Sequence, residues 1–495
     1  MKQHQRTISP TGTIAVLTVL ILTAIPVDML AGQRRPVARE LPPKAGPIKP
    51  FAFPAIREKK LQNGLAVMLV EDHRAPIVTF NMAVNAGDVR DPSGLEGLAE
   101  ATADLLTQGA GSRTARELAE EVESIGGRIS SSSNDDYSEI TFAVIAENLD
   151  RMLDIVGDVV LRPTFPEKEI DLLKSNRTES LKVERQDPGF LAGEQFHRVV
   201  YGPHPYSVSS PTPESIASID RTKIESFYRS AYVPTGSIVV VIGDFDSSAV
   251  EQKLRGIFGD WKAPGAGQPR FPSPPPPGRR ILLIDRPGSD QADIRIGNVA
   301  VTRSDPDFFP LLVANSVLGA GTASRLFLNV REQKGYAYDV GSSLSIPREM
   351  GTFYGYTQTR TEVAVKAIQE ILREFTRMRT QMVSPRDLQN AKNYLNGLFS
   401  LTLSTQGGLA DRLSSAYMFG LGKAYLEEYR SRVAAVTSQR VLQAAQRHIL
   451  TDRVAIIVVG DAAKLKQPLS AMGRVELFDI EGRHLSADGA LNRRN

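Results

Sequence analysis

The chain has 495 residues, which a prior of roughly 150 residues per domain divides into about three domains or two larger ones. Its 41% hydrophobic and 23% charged residues are the balance of a globular protein, which excludes disorder throughout and a collagen-like fibre, and the presence of only one long apolar run excludes a polytopic membrane protein. The formal net charge is +3 with the basic residues dispersed, so the basic stripe or patch of a nucleic-acid binder is missing.

Cysteine is absent, which removes disulfides, thiolate nucleophiles and Cys-ligated metal centres. The six histidines are His4, His73, His197, His204, His448 and His484, and no two lie within a helical turn of each other.

At the N-terminus, Lys2 and Arg6 precede an uncharged stretch whose most apolar part is Ile14–Ile25. A basic region followed by an apolar one reads as a secretory signal over residues 1–31, with cleavage after Ala31. Met29 departs from the small-residue rule at that site, and an uncleaved single membrane anchor is the alternative reading. Either way the chain is expected to be exported, to a compartment such as a periplasm. Residues 32–54, rich in Pro, Arg and Lys, read as an extended linker.

Between Lys262 and Arg280 lie seven prolines, including the run Pro274–Pro277. Such a stretch is neither helix nor central strand and acts as a stiff spacer over residues 262–280. It separates a half at 55–261 from a half at 281–480, and residues 481–495 read as a disordered tail. The halves repeat each other. Ile238–Asp246 and Val454–Ala462 are both apolar strands ending in Gly-Asp, with Gly243 and Gly460 offset by 460 − 243 = 217. The same offset carries Val78 to Arg295 and Gly94 to Leu311, each inside a segment of matching pattern. Within each half, alternation as in Ser138–Ile145 predicts strands. Helical spacing as in residues 148–161, and the acidic start after Pro166, predict helices. The expected fold is therefore α+β: two homologous sandwich halves, each a mainly antiparallel sheet with helices packed on it.

Several stretches together resemble the insulinase/pitrilysin family of zinc metallopeptidases. They are the strand LQNGLAVMLVEDHRAPIV (residues 61–78), SGLEGLAE (93–100), HPYS with PTPESI (204–207 and 211–216), and GAGTASRLFLNVREQKGYAYDV (319–340). The resemblance spans residues 61–479. It implies an inverted zinc motif, H-x-x-E-H, on the first helix of the first half. There two imidazoles hold the metal and the Glu between them acts as general base, with a further Glu as third ligand. In this chain the first His position is Gly97, the base position is Glu100, the second His position is Ala101, and the distal ligand position matches Glu179 to within a residue. Gly and Ala offer no donor atom, so no zinc is expected in this chain, and Glu100 and Glu179 read as solvated helix-surface carboxylates. Ser130–Ser133 stands where active members carry an Asn-Ala pair on a substrate-binding edge strand.

The second half keeps what the first has lost. The resemblance implies an Arg and a Tyr seven residues later that reach the zinc site, and Arg331 and Tyr338 match them. A guanidinium and a phenol are good donors to an oxyanion. Residues 324–332 read as helix, Gly335 as its C-cap and 336–342 as the start of a strand, so both side chains can point to one side of the turn. Tyr336 is the alternative to Tyr338, on the same strand face. The competing reading has Arg331 capping the helix and Tyr338 packed in the sheet. Gly319–Gly321 reads as a turn after a helix, similar to the glycine-rich loop of the family's non-zinc subunits.

The resemblance thus implies the non-zinc subunit of an exported heterodimeric peptidase. A homologous partner would carry the zinc and the base, and Arg331 and Tyr338 would act in trans on a peptide or unfolded protein. The alternatives are an inactive peptidase-like scaffold or peptide-binding protein, and a homodimer. A serine hydrolase is set aside, because no G-x-S-x-G elbow is present.

Overall fold

The computed structural model describes residues 53–262, 271 and 278–485. The expected signal at 1–31, nearly all of the 32–54 linker, most of the proline-rich spacer, His4 and residues 486–495 lie outside them.

Runs of β-branched residues build the strands. In the first half these are β1 Arg57–Lys60, β2 Ala66–Glu71, β3 Ile77–Val84, the short pair β4 Gly109–Ala110 and β5 Arg113–Thr114, β6 Arg128–Ser133, β7 Ser138–Ile145 and β8 Ile238–Gly243. Its helices are α1 Leu98–Leu105, α2 Ala115–Ser124, α3 Leu149–Leu161, α4 Glu167–Glu184, α5 Pro188–Tyr201, α6 Pro213–Ser218, α7 Arg221–Ala231 and α8 Ser247–Phe258. The second half has β9 Arg280–Asp285, β10 Gln291–Val299, β11 Ala337–Ser345, β12 Thr352–Arg360, β13 Ala455–Gly460 and β14 Val475–Phe478. Its helices are α9 Phe308–Gly319, α10 Ala364–Thr380, α11 Pro385–Leu403, α12 Gln406–Met418, α13 Gly422–Ala435, α14 Ser438–His448 and α15 Ala462–Ser470.

Each half supplies a six-stranded sheet, ordered β1-β2-β8-β3-β7-β6 in the first and β11-β12-β10-β13-β9-β14 in the second. Read from opposite ends, the two orders are the same fold repeated: β2, β8, β3, β7 and β6 correspond to β9, β13, β10, β12 and β11. The central strands β8 and β13 are buried at every position, as their unbroken apolar runs require. The fold is α+β in two related halves.

The repeat is real, but its spacing is not constant. Val78 pairs with Gly243, whereas the register of β10 on β13, with Asp293 opposite Val459, places Ala292 opposite Gly460. Val78 therefore corresponds to Ala292 and not to Arg295. Ser131 Oγ donates to Ala103 O at the edge of the first sheet, and Ser342 Oγ donates to Asn315 O (3.4 Å) at the same place in the second.

The halves exchange helices. From the first half, α5 lies on β13 and β10 of the second sheet. Its Leu191, Ala192, Phe196 and Val200 share one buried cluster with Leu282, Ile284, Ile457 and Val459. From the second half, α12 lies on β3 and β8. There Asn81 Nδ2 donates to Asp411 (3.1 Å), Ser414 Oγ donates to Asn81 Oδ1 (3.0 Å) and Thr79 Oγ1 donates to Gln406 (3.0 Å). Neither sheet is covered by its own half alone. Residues 481–485, expected as the start of a disordered tail, are folded: the chain turns back so that Phe478 bridges His484, and Leu485 is buried.

Candidate functional site

In the first half, the degenerate metal motif sits at the start of α1. Gly97 is the residue before the helix, with φ +91° and ψ 5°. The Asp91 carboxylate fixes it there, accepting from the N–H of Gly97 (2.7 Å) and of Ala99 (2.8 Å). A β-carbon on Gly97 would lie 3.1 Å from the Pro211 side chain. Two ligands spaced by one helical turn need both positions on the helix face, and here the first of them is off it. Ala101 is inside α1 and buried.

Glu100 is half-buried, and its Oε2 lies 3.0 Å from Nη2 of Arg177 on α4. Arg177 Nη1 also reaches Glu184 at 3.5 Å. Burial raises the Glu100 carboxyl above its ordinary range, and the Arg177 charge draws it back down. Asp104, one turn along α1, is raised for the same reason, with Arg177 again opposing.

Glu179, the expected distal ligand position, does not join this group. Its side chain is 68% exposed and pairs with Lys182 at 2.6 Å. It stands two residues from Arg177, roughly 200° around the helix. The α4 residue that faces Glu100 is therefore Arg177, which the sequence reading passed over. A signal for it was present. Ile170, Leu173, Arg177 and Leu181 form one helical stripe whose other members are wholly or partly buried, and a guanidinium in such a stripe needs a partner.

Neither of the two helix positions that would need an imidazole carries one, and the fixed positive charge of Arg177, shared between Glu100 and Glu184, occupies the place beside Glu100. These residues do not fit a zinc ion. Among the described residues, one trio has ligand atoms close enough to share an ion: Asp305, Asp307 and His448. There Asp307 is already bound by Arg447 at 2.6 Å and Arg440 at 3.4 Å, and two guanidiniums oppose a cation. His204, in the family-like HPYS stretch, is buried and accepts from the Tyr206 N–H through Nδ1 (3.2 Å).

Around Glu100 the chain leaves an open cleft. A cavity of about 540 Å³ is lined by Glu100, Asp104, Ser130, Leu173, Arg177 and Ile219, and a second of about 280 Å³ shares Gly97, Glu100 and Arg177 with it. The cleft runs beside β6, which ends the first sheet with β7 as its one neighbour. Ser130–Ser133 thus lies on an edge strand, with alternating exposure along it.

In the second half the expected pair is assembled. The chain from Phe327 to Gln333 is π-helical, and Lys334 N donates to Asn329 O (3.0 Å) across five residues. Segments of this kind concentrate at functional sites. Gly335 closes the turn at φ +62°, with its N–H on Arg331 O and the Tyr336 N–H on Val330 O. β11 begins at Ala337 with a bulge that leaves Tyr338 as the extra residue. The Tyr338 ring is 82% exposed, and the Arg331 guanidinium lies over it at 4.7 Å and over Phe327 at 4.6 Å.

Tyr338 is therefore not packed in the sheet. Tyr336 precedes the strand and the bulge interrupts the alternation after it, so strand alternation does not relate it to Tyr338; its carbonyl accepts from Thr359 Oγ1 (2.5 Å). The GAG turn is explained by packing. α9 ends at Gly319, where a β-carbon would collide with the Ser342 nitrogen at 2.1 Å.

Known proteins share this architecture. A family model for insulinase (peptidase family M16) matches residues 66–210, and one for the peptidase M16 inactive domain matches 218–395. The chain is 25% identical over 421 residues to an uncharacterized zinc protease of Bacillus subtilis, covering 83% of this chain and 99% of the relative. It is also 25% identical over 418 residues to one of Streptomyces coelicolor, covering 82% and 89%. Among solved structures, a peptidase M16 inactive domain from Pseudomonas fluorescens superposes with a TM-score of 0.78 at 23% identity, over 82% of this chain and 98% of that one. A protease from Helicobacter pylori superposes at 0.76 and 18%, over 82% and 100%.

Proposed function

Because the chain belongs to the insulinase (M16) family of peptidases, we propose that it is the non-zinc member of a two-chain peptidase. In this reading it is exported by its N-terminal segment. It contributes Arg331, Tyr338 and part of the chamber wall, and a homologous zinc-bearing partner contributes the metal, the water and the base. The observation that carries the reading is the contrast between the two halves. The first half has a guanidinium where metal ligands would be needed, while the second holds Arg331 against an 82%-exposed Tyr338. An exposed phenol and a guanidinium stacked on it are the kind of donors an oxyanion takes, and this supports a role toward an oxyanion that another chain presents. The test is cleavage of a quenched peptide by the isolated chain, by a zinc-motif homologue, and by their equimolar mixture. Activity in the mixture that needs Tyr338 supports the reading, and full cleavage by the isolated chain defeats it.

A second reading, a protein that binds peptides without cutting them, has its own support. The β6 edge and its cleft of about 540 Å³ stay open although the metal ligands are gone. An exposed strand edge accepts an extended chain by main-chain hydrogen bonding.

A further inference from the structure

Of the two cavities that share Glu100, Arg177 lines both and is the one Arg or Lys that lines either among the described residues. Its side chain is 28% exposed. The carboxylates of Glu100 and Glu184 meet its two terminal nitrogens, each of which carries a second N–H, while Nε is buried without a partner. Ser130 and Ser131 of the β6 edge line the same cavity, as do the apolar side chains of Leu173 and Ile219. A fixed cation, an open strand edge and an apolar floor thus meet within one cleft.

We infer that Arg177 is the anchor of a peptide-holding site in the first half: its guanidinium donates hydrogen bonds to a main-chain carbonyl of an extended peptide added to the β6 edge. The inference rests on the peptide-binding reading above. The chemistry separates holding from cutting. A guanidinium stays protonated and accepts no proton, so it polarises and fixes a carbonyl oxygen without generating a nucleophilic hydroxide. Its charge offsets only part of the carboxylate charge around it, and an uncharged peptide main chain enters without adding a further ion to the cleft. Gly97 serves the same site, because a β-carbon there would close on Pro211 between the two cavities.

The test uses the full chain and an uncharged, end-capped, fluorescein-labelled decapeptide rich in Val, Thr and Ser. Binding is followed by fluorescence polarisation. Arginine modification by phenylglyoxal is then read by mass spectrometry with and without saturating peptide. The expected result is binding without cleavage, with loss of modification at Arg177 and unchanged modification at exposed Arg116. Arg177→Met is expected to weaken binding about tenfold, the cost of losing a hydrogen bond to a charged group. If the peptide binds and Arg177 stays as reactive as before, the anchor is elsewhere and the inference falls while the peptide-binding reading stands. If no peptide binds, both fall together. The protection measurement needs no variant, so a folding defect in Arg177→Met would not rescue the inference.

Discussion

Arg177 Nη2 lies 3.0 Å from Glu100 Oε2, so a side chain supplies the positive charge that a metal would supply beside this carboxylate. The pair joins α1 to α4 across the cleft.

Restoring the imidazoles alone should therefore not restore a metal site. In Gly97→His/Ala101→His the first His must adopt the left-handed backbone of Gly97, at a cost of roughly 1–2 kcal/mol, and it would still face the Arg177 cation. The double variant is expected to retain only traces of zinc after dialysis, measured by elemental analysis. Adding Arg177→Glu removes the cation and adds a carboxylate, and should raise the retained zinc. One zinc per chain in the double variant would show that Arg177 is no obstacle.

Arg331 and Tyr338 should matter to activity and not to folding. Tyr338 is largely exposed, and Arg331→Ala chiefly removes the stacking of the guanidinium on Phe327 and Tyr338. Thermal unfolding of Tyr338→Phe and Arg331→Ala should shift by no more than about 1 kcal/mol. In the two-chain peptidase either change should lower kcat by about 10²-fold, as for loss of an oxyanion donor. A silent Tyr338→Phe in that complex would favour the non-enzymatic reading.

Periodicity and punctuation made the elements legible in the sequence. The alternation of Ser138–Ile145 became β7, and the acidic start after Pro166 became α4. Two things were hidden. Register depends on cross-strand pairing, so a constant offset matched Val78 to Arg295 when the ladders match it to Ala292. Rotation about α4 separates Glu179 from Arg177 by two residues, within the slack of any motif alignment, yet those two residues decide which side chain meets Glu100. The exchange of α5 and α12 left no local trace, because an amphipathic helix does not encode which sheet it covers.

That exchange predicts that the halves are not independent. Residues 53–262 expressed alone would leave the apolar face of α5 uncovered and β3 without α12, and residues 278–485 would have the converse defect. Each alone should aggregate or fail to show cooperative melting, and co-expression should recover a soluble pair. Phe196→Ala, although in the first half by sequence, should destabilise the second half's core by about 3–5 kcal/mol. Two separately stable, monodisperse halves would contradict this packing.

Asp91 gives the site a pH dependence. Burial and the nearby Asp88 charge push its carboxyl up to about 7, against hydrogen bonds from the start of α1 that pull it down. Between its ordinary 3.8 and about 7 the folded chain keeps a proton that the unfolded chain releases. Folded-state proton uptake is the larger, so this contribution is fully present below pH 4 and is lost as pH rises to 7, at no more than about 1.4 kcal/mol per pH unit. Relative to Asp91→Asn, wild-type stability in denaturant titrations should fall across that window and level off above it. A difference that stays flat from pH 4 to 8 would show that Asp91 is ionised throughout.

The central claim is that the cation beside Glu100 is Arg177 and not zinc. Its most direct test is the zinc content of the purified full chain after equilibration with excess zinc and gel filtration, with peptide cleavage measured on the same sample. The account predicts no retained zinc and no cleavage. One tightly held zinc per chain, with cleavage abolished by Glu100→Gln, would contradict it.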